Sequence, residues 1–438
     1  MLTKRTALAV NAVVFTAALG LTACGTQGPA TSDLKIDSAH SIGVDGVITN
    51  GIIHTRSTSD SAIERQIQAQ LQYMTGQLNG INGGADLNRL QLTINEKIPE
   101  ADGNFEVHYA AKVLIAWRRD LALPESYELV LPARGEGRSL SSFFNAFQDD
   151  CITPSAHDMS TGNFWYYYRP QPESCLARMN DPVNADLIAR FPITLNPSVE
   201  NTSGKSPEYA KIWEDNRAVI TAVFGKYEDG ATANNDAGVA AYNEMYAMLR
   251  SRFGEPAVQD VAVPVDTKPG VAYPAIHMIF NTPQGTLDVD ILLIDGILST
   301  NEAFKTRYNE RTKISDLVSY NGHSGLGANI RALARMGSFQ PDQYQLFFVN
   351  GCDTFAYVDN ALRDAHAAVN PGHGPSKFFD IITNAMPSYF RSNADNNVAL
   401  MQAFLSRSKT YRQILTSFDR TQRAVVTGEE DNAWPQAF

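Results

Sequence analysis

The sequence predicts an α/β protein, with a C-terminal layered domain on a mostly parallel sheet preceded by a β-rich domain. Three features of the chain predict it. After residue 206, apolar runs of strand length alternate with stretches of helical period, the pattern of parallel strands joined by crossover helices. Between about 60 and 200 the dominant period is two, the mark of strands with one buried face. Two late apolar runs, 314–320 and 344–350, are each followed within a few residues by a glycine-flanked reactive side chain, His323 and Cys352.

The elements follow in chain order. Residues 1–23 carry Lys4 and Arg5, an apolar run at 7–21, and Leu21-Thr22-Ala23 ahead of Cys24. The run is short for a membrane span and reads as a signal peptide. It resembles the bacterial lipoprotein signal, which implies cleavage before Cys24 and lipid on that cysteine. Gly25 in the next position then implies the outer membrane in a Gram-negative host. No second apolar stretch reaches the ~20 residues of a spanning helix. The expectation is an exported chain whose membrane partner is reached through the Cys24 lipid. Residues 24–60, rich in Gly, Ser, Thr and Asp, read as a tether with one short strand around 41–52.

The β-rich domain is expected over 61–205, in an arrangement that includes a sandwich among its options. It opens with a helix at 61–78, where Ile63, Ile67, Leu71, Met74 and Leu78 recur at helical spacing before Asn79-Gly80. Alternation at Leu90, Leu92 and Ile94, and again at Phe105, Val107 and Tyr109, predicts a hairpin turning at 100–104. Further strands are expected at 113–117, 127–131, 164–168 and 187–195, with a helix at 140–147. Cys151 and Cys175 flank the aromatic run at 164–168, and an exported chain can oxidise such a pair.

The α/β domain spans 206–438. Strands are expected at 218–224 and 258–265, a hairpin at 275–280 and 287–294, and helices at 236–252 and 302–311. The two opening runs follow, joined by a helix at 328–336. A strand at 378–383, a long helix at 397–417 and a last strand at 423–427 close the domain. Strand, helix and strand in that order place His323 and Cys352 at the C-terminal ends of neighbouring parallel strands, along the edge where open α/β sheets bind ligands.

Composition narrows the function. Apolar residues make up 44% and charged residues 19%, as in an ordinary globular protein. The net charge of -11, with no basic cluster, argues against nucleic acid. Of the 4 cysteines, Cys24, Cys151 and Cys175 have assignments and Cys352 does not. A thiol near an imidazole is a nucleophile–base pair, and Gly322, Gly325 and Gly351 would let backbone approach a substrate carbonyl. His157 and Asp158 stand alone, and no metal-binding spacing, phosphate loop or Gly-x-Ser-x-Gly elbow occurs. No metal and no cofactor is therefore expected.

An apolar strand ending in a Gly-flanked His, then one ending in a small residue and Cys, resembles the caspase-like cysteine peptidases (clan CD), over about residues 215–430. The resemblance implies an α/β sandwich around a mostly parallel sheet, His323 and Cys352 as a catalytic dyad, and a peptide or protein substrate. It implies oxyanion donors among the backbone amides of Gly322 or Ser324 and of Cys352, beside Gly351. Ser324 follows the histidine where the group has Gly. Asp295, at a strand end, and His373, in a loop after the Cys strand, are further candidates to line the pocket. The acidic turn at 428–432 is a candidate to reach the same edge, while His366 is expected to face solvent. A scaffold kept for binding without catalysis, and a redox or intermolecular disulfide role for Cys352, stand as alternatives.

Overall fold

The computed structural model describes residues 35–157 and 159–429, so Cys24 and Asp158 lie outside the described residues. Two sheets organise the chain. The first is antiparallel and contains β1 (Ser41–Thr55), β2 (Gly83–Pro99), β3 (Phe105–Arg118), β4 (Ser126–Pro132) and β5 (Ile188–Pro197), in the order β2-β3-β1-β5-β4. The short strand expected around 41–52, inside the stretch read as a tether, is β1, and it is the middle strand of this sheet. Its glycines made it look like a linker, but they serve packing: a Cβ on Gly46 would lie 2.7 Å from the side chains of Ile115 and Ile193 on the flanking strands. Residues 105–109 and 113–117, read as separate strands, are one strand, β3.

The helix Asp60–Asn79 covers one face of this sheet with the apolar stripe read from its period: Ile63, Ile67, Leu71, Met74 and Leu78 are all buried. The β-rich domain is a single sheet covered by a helix on one face, not the sandwich included among its options. Residues 164–168, read as a strand, hold the short helix Phe164–Tyr167. An aromatic run suits either state, and here Phe164 meets Tyr73 of the covering helix edge-on. Cys151 and Cys175 are disulfide-bonded, with Cα atoms 4.8 Å apart.

The second sheet contains β6 (Arg217–Gly225), β7 (Val258–Gln259), β8 (Ala275–Thr282), β9 (Gly285–Ile294), β10 (Leu317–Asn321), β11 (Gln345–Asn350), β12 (Phe379–Asn384) and β13 (Ala424–Gly428). Its order is β13-β12-β11-β10-β6-β9-β8-β7. The five strands from β12 to β9 are parallel, and the outer ones are antiparallel. Helices Ala237–Phe253 and Asn393–Ser406 cover one face, while Glu302–Thr312, Ala328–Leu333 and Ala361–Val369 cover the other. Buried on both sides, the parallel strands read as unbroken apolar runs. The strand expected at 258–265 shrinks to β7. The helix expected at 397–417 divides into Asn393–Ser406 and Tyr411–Leu415, with Arg407 at φ +49° ending the first. Among the described residues no helix is long and apolar enough to cross a membrane.

The halves meet where Leu114 and Ala116 of β3 pack with Phe355, Ala385 and Val425. Along the parallel sheet, β6 connects towards β9 on one side, and the next strand, β10, lies on the other side of β6. The chain therefore leaves β6 and β10 in opposite directions, which opens a crevice at their C-terminal ends.

Candidate functional site

The site rests on a buried amide network. β10, β11 and β12 each end in asparagine. Asn350 Nδ2 donates to Asn321 Oδ1 at 3.0 Å and to Asn393 Oδ1 at 2.9 Å. Asn384 Nδ2 and Gln422 Nε2 both donate to Asn350 Oδ1 at 2.8 Å. Asn397 Nδ2 reaches Asn321 Oδ1 at 2.8 Å. Three strand ends and a covering helix are thereby locked in register.

His323 stands two residues beyond β10 on a pinned turn. The Gly322 amide donates to the Asn350 carbonyl at 3.1 Å. The His323 carbonyl accepts from Tyr320 Oη at 2.8 Å and Asn329 Nδ2 at 2.9 Å. The half-buried ring lies between Tyr227 and Phe390, with centroids 5.1 and 5.3 Å away. Its Nε2 lies 3.1 Å from the Tyr227 carbonyl. A carbonyl only accepts, so Nε2 carries the proton and Nδ1 holds the lone pair of the neutral ring.

Cys352 stands two residues beyond β11. The adjoining turns touch: a Cβ on Gly351 would lie 3.0 Å from the Gly322 carbonyl oxygen and 3.2 Å from the Ser324 amide nitrogen. Gly351 thus makes room for the histidine turn. The thiol points to the Ser388 carbonyl at 3.6 Å, with Ser388 Oγ at 4.0 Å. Among the described residues no hydrogen bond joins it to His323. Burial, then the Asp353 carboxylate, pushes the thiol pKa up, so the resting group is a thiol.

Asp353 adopts φ +50°, a conformation that Asp tolerates better than most residues. Its carboxylate accepts from Asn79 Nδ2 and Tyr166 Oη, both at 2.9 Å and both from the antiparallel half. Burial pushes its pKa up to about 6, against the pull of these two hydrogen bonds. Asn88 of β2 holds the following turn through the carbonyls of Ala356, at 3.1 Å, and Val358, at 2.9 Å. The antiparallel half therefore grips the chain on the cysteine side of the site.

His323 and Cys352 open into one cleft of about 980 Å³ between the halves. Gly322, Ser324, Gly325 and Leu326 line it on the histidine side, and Met386 to Phe390 beyond β12. The Gly322 amide is spent on Asn350 and is removed from the oxyanion candidates. The amides of Ser324 and Cys352 make no hydrogen bond among the described residues.

Other sequence candidates lie elsewhere. Asp295 accepts from Lys226 Nζ at 2.7 Å and from the Gly230 amide at 2.9 Å, and does not line the cleft. Its strand, β9, lies on the far side of β6. His373 precedes β12, so it sits at the sheet's opposite edge, against Phe378 at 5.5 Å. Of the acidic turn at 428–432, Gly428 pairs with Asp380 at the start of β12 because β13 is antiparallel, so Gly428 and Glu429 lie at the opposite edge; 430–432 lie outside the described residues. His366, expected in solvent, is buried among Phe339, Phe347 and Phe379, and burial lowers its pKa to about 4. His157 lines the cleft from an exposed loop.

Sequence reasoning missed the amide network, the aromatic notch around His323, Ser388 and Tyr166. Only the first had a local signal, an asparagine closing each of three apolar strands. A group of metal-ligand type, His54, Glu100 and Glu106, brings its ligand atoms within 4.8 Å of one another but does not line the cleft. Comparison with protein-family models, with curated proteins and with solved structures finds no match to this chain.

Proposed function

We propose that this chain is a caspase-like cysteine hydrolase acting on peptide bonds and held at the membrane by lipid on Cys24. One observation carries the reading: His323 and Cys352 follow adjacent parallel strands, on turns in contact, and open into one cleft. Substrate entry displaces the thiol from Ser388, and the imidazole takes its proton. The thiolate attacks the peptide carbonyl carbon, and the amides of Ser324 and Cys352 stabilise the developing oxyanion. The C–N bond then breaks as the imidazolium gives its proton to the leaving amine. Water hydrolyses the thioester, releasing a carboxylate and restoring the thiol.

Labelling with a thiol-directed acyl electrophile, read by intact mass, tests the assignment. The expected result is one adduct, absent in Cys352→Ala and formed about 100-fold more slowly in His323→Ala. No adduct on the native protein, or equal rates after His323→Ala, overturns it. A second reading, a binding scaffold without turnover, is favoured by the thiol's contact with Ser388 in place of His323 and by the adjacent Asp353. It predicts that Cys352→Ser leaves the protein's cellular role intact.

A further inference from the structure

The cleft carries a charge that His–Cys chemistry does not require. The chain is acidic overall, at net -11. Yet Arg118, Arg119, Arg169, Arg420 and Arg423 line the cleft, and among its described lining residues Asp120 is the single acid. These arginines come from distant parts of the sequence: the end of β3, the chain after the aromatic helix, and the turn before β13. Topology gathers them. Because β13 runs antiparallel to β12, its first residue, Ala424, pairs with Asn384 at the edge that carries Cys352. The basic turn before β13 therefore reaches the cleft, and Gly428 at the other end of β13 lies at the opposite edge.

Three of the guanidinium groups are held by neutral oxygens. Arg119 donates to the carbonyls of Ser38 at 3.0 Å and Ser41 at 2.7 Å. Arg169 donates to those of Gly76, Tyr166 and Tyr168 at 2.6, 3.1 and 2.9 Å. Arg423 bonds the Asn82 carbonyl and, at 2.7 Å, its Oδ1. Such partners fix a guanidinium in place without cancelling its charge. Arg118 is paired with Asp120. Arg420 is exposed and makes no hydrogen bond or ion pair among the described residues. The cations crowd one another: burial, and then Arg118 alongside, lowers the Arg423 pKa to about 10. Burial and the nearby Arg420 and Arg119 lower that of His40 on the same wall. Joining the two halves accounts for Arg423, but not for Arg420 or Arg118.

We propose that this arginine wall binds acidic side chains of a peptide substrate at subsites remote from the scissile bond, so that the cleft selects segments rich in Asp or Glu. The arginines lie off the turns that bear His323 and Cys352, which separates recognition from bond cleavage. Tyr167, Tyr389 and Phe390 line the same cleft and suit peptide side chains better than a bare phosphate chain. Its volume, at the top of the range for small-ligand sites, accepts an extended segment. Fixed cations in a concave, partly desolvated wall raise the local concentration of an anionic ligand.

The inference rests on the hydrolase reading for its substrate class, so its test measures binding without turnover. The full chain carrying Cys352→Ala is titrated into a fluorescein-labelled peptide of alternating Glu and Ser, and into its Gln-for-Glu counterpart, at about 0.05 and 0.5 M salt. The Glu peptide is expected to bind about tenfold more tightly at low salt, with the preference shrinking at high salt. Arg420→Gln and Arg118→Gln are each expected to weaken it by a factor of about two to five. Equal affinity for the two peptides, or a preference that survives both substitutions unchanged, overturns the proposal. So does tighter binding of tripolyphosphate than of the Glu peptide. A Glu preference in a chain that never labels at Cys352 supports the wall and sinks the hydrolase; labelling with equal affinities does the reverse.

Discussion

The two halves of the cleft are built from opposite kinds of sheet. On one side, parallel strands buried on both faces bring their C-terminal ends to a common edge, so the residue after each strand is delivered to the site by topology. On the other side, an antiparallel sheet with helices on one face contributes residues from scattered places: His40 ahead of β1, Arg118 at the end of β3 and Tyr166 on a short helix. The parallel half supplies the proposed reactive groups and the network beneath them, and both halves line the cleft around them. Reactivity and recognition can therefore be disturbed separately, and four experiments sharpen that division.

The largest effect is expected at the amide network. Asn350→Ala removes four buried hydrogen bonds, to Asn321, Asn393, Asn384 and Gln422, and leaves Asn393 Oδ1 and Gln422 Nε2 without their partner. At about 1 kcal/mol or more for each lost bond, denaturant unfolding should show a loss of about 4 kcal/mol, and Cys352 labelling should fall with it. A loss below about 1 kcal/mol would show that the strand ends hold their register by other means.

Next is the disulfide of the antiparallel half. Replacing Cys151 and Cys175 together by Ala should cost about 3 kcal/mol in thermal unfolding. The rate of Cys352 labelling at 25 °C should stay unchanged in the folded protein. A matching drop in labelling would show that the halves are not separable.

The third prediction concerns pH. Asp353 moves from its ordinary 3.8 to about 6 in the folded chain. Between these values the native protein keeps a proton that the unfolded chain has released. This contribution therefore makes stability fall as pH rises from about 4 to about 6, and it levels off above. Asp353→Asn should remove that slope and, by deleting a carboxylate beside the thiol, raise the rate of Cys352 alkylation at pH 7 a few-fold, about three to ten times. An unchanged slope and rate would place the titrating group elsewhere. The smallest effect is expected for Arg420→Gln, which should shift stability by less than about 0.5 kcal/mol while it weakens the Glu peptide.

The sequence disclosed the parallel half better than the antiparallel one. Apolar runs with fixed ends mark buried parallel strands, and helical stretches between them set their direction, so the positions of His323 and Cys352 on neighbouring strand ends were legible. A strand around 41–52 was legible, but not its place in the middle of the sheet, because glycines that admit Ile115 and Ile193 look locally like a linker. Residues 164–168 suit a strand or a helix equally, and packing against Tyr73 accompanies the helix. Asp295 and His373 illustrate a different failure: their neighbourhoods resembled a site, but one lies beyond β6 and the other at the opposite edge. His366 looked exposed because its own helix does not reveal the sheet face on which it packs.

By itself the sequence determined which side chains stand just past the ends of buried strands, because strand length and apolar period are local properties of the chain. Only the tertiary structure decided what those side chains meet. The contact of the Cys352 thiol with Ser388, the grip of Asn79 and Tyr166 on Asp353, and the gathering of distant arginines into one wall all join residues far apart in sequence. Such contacts depend on strand order and direction, which no local pattern encodes.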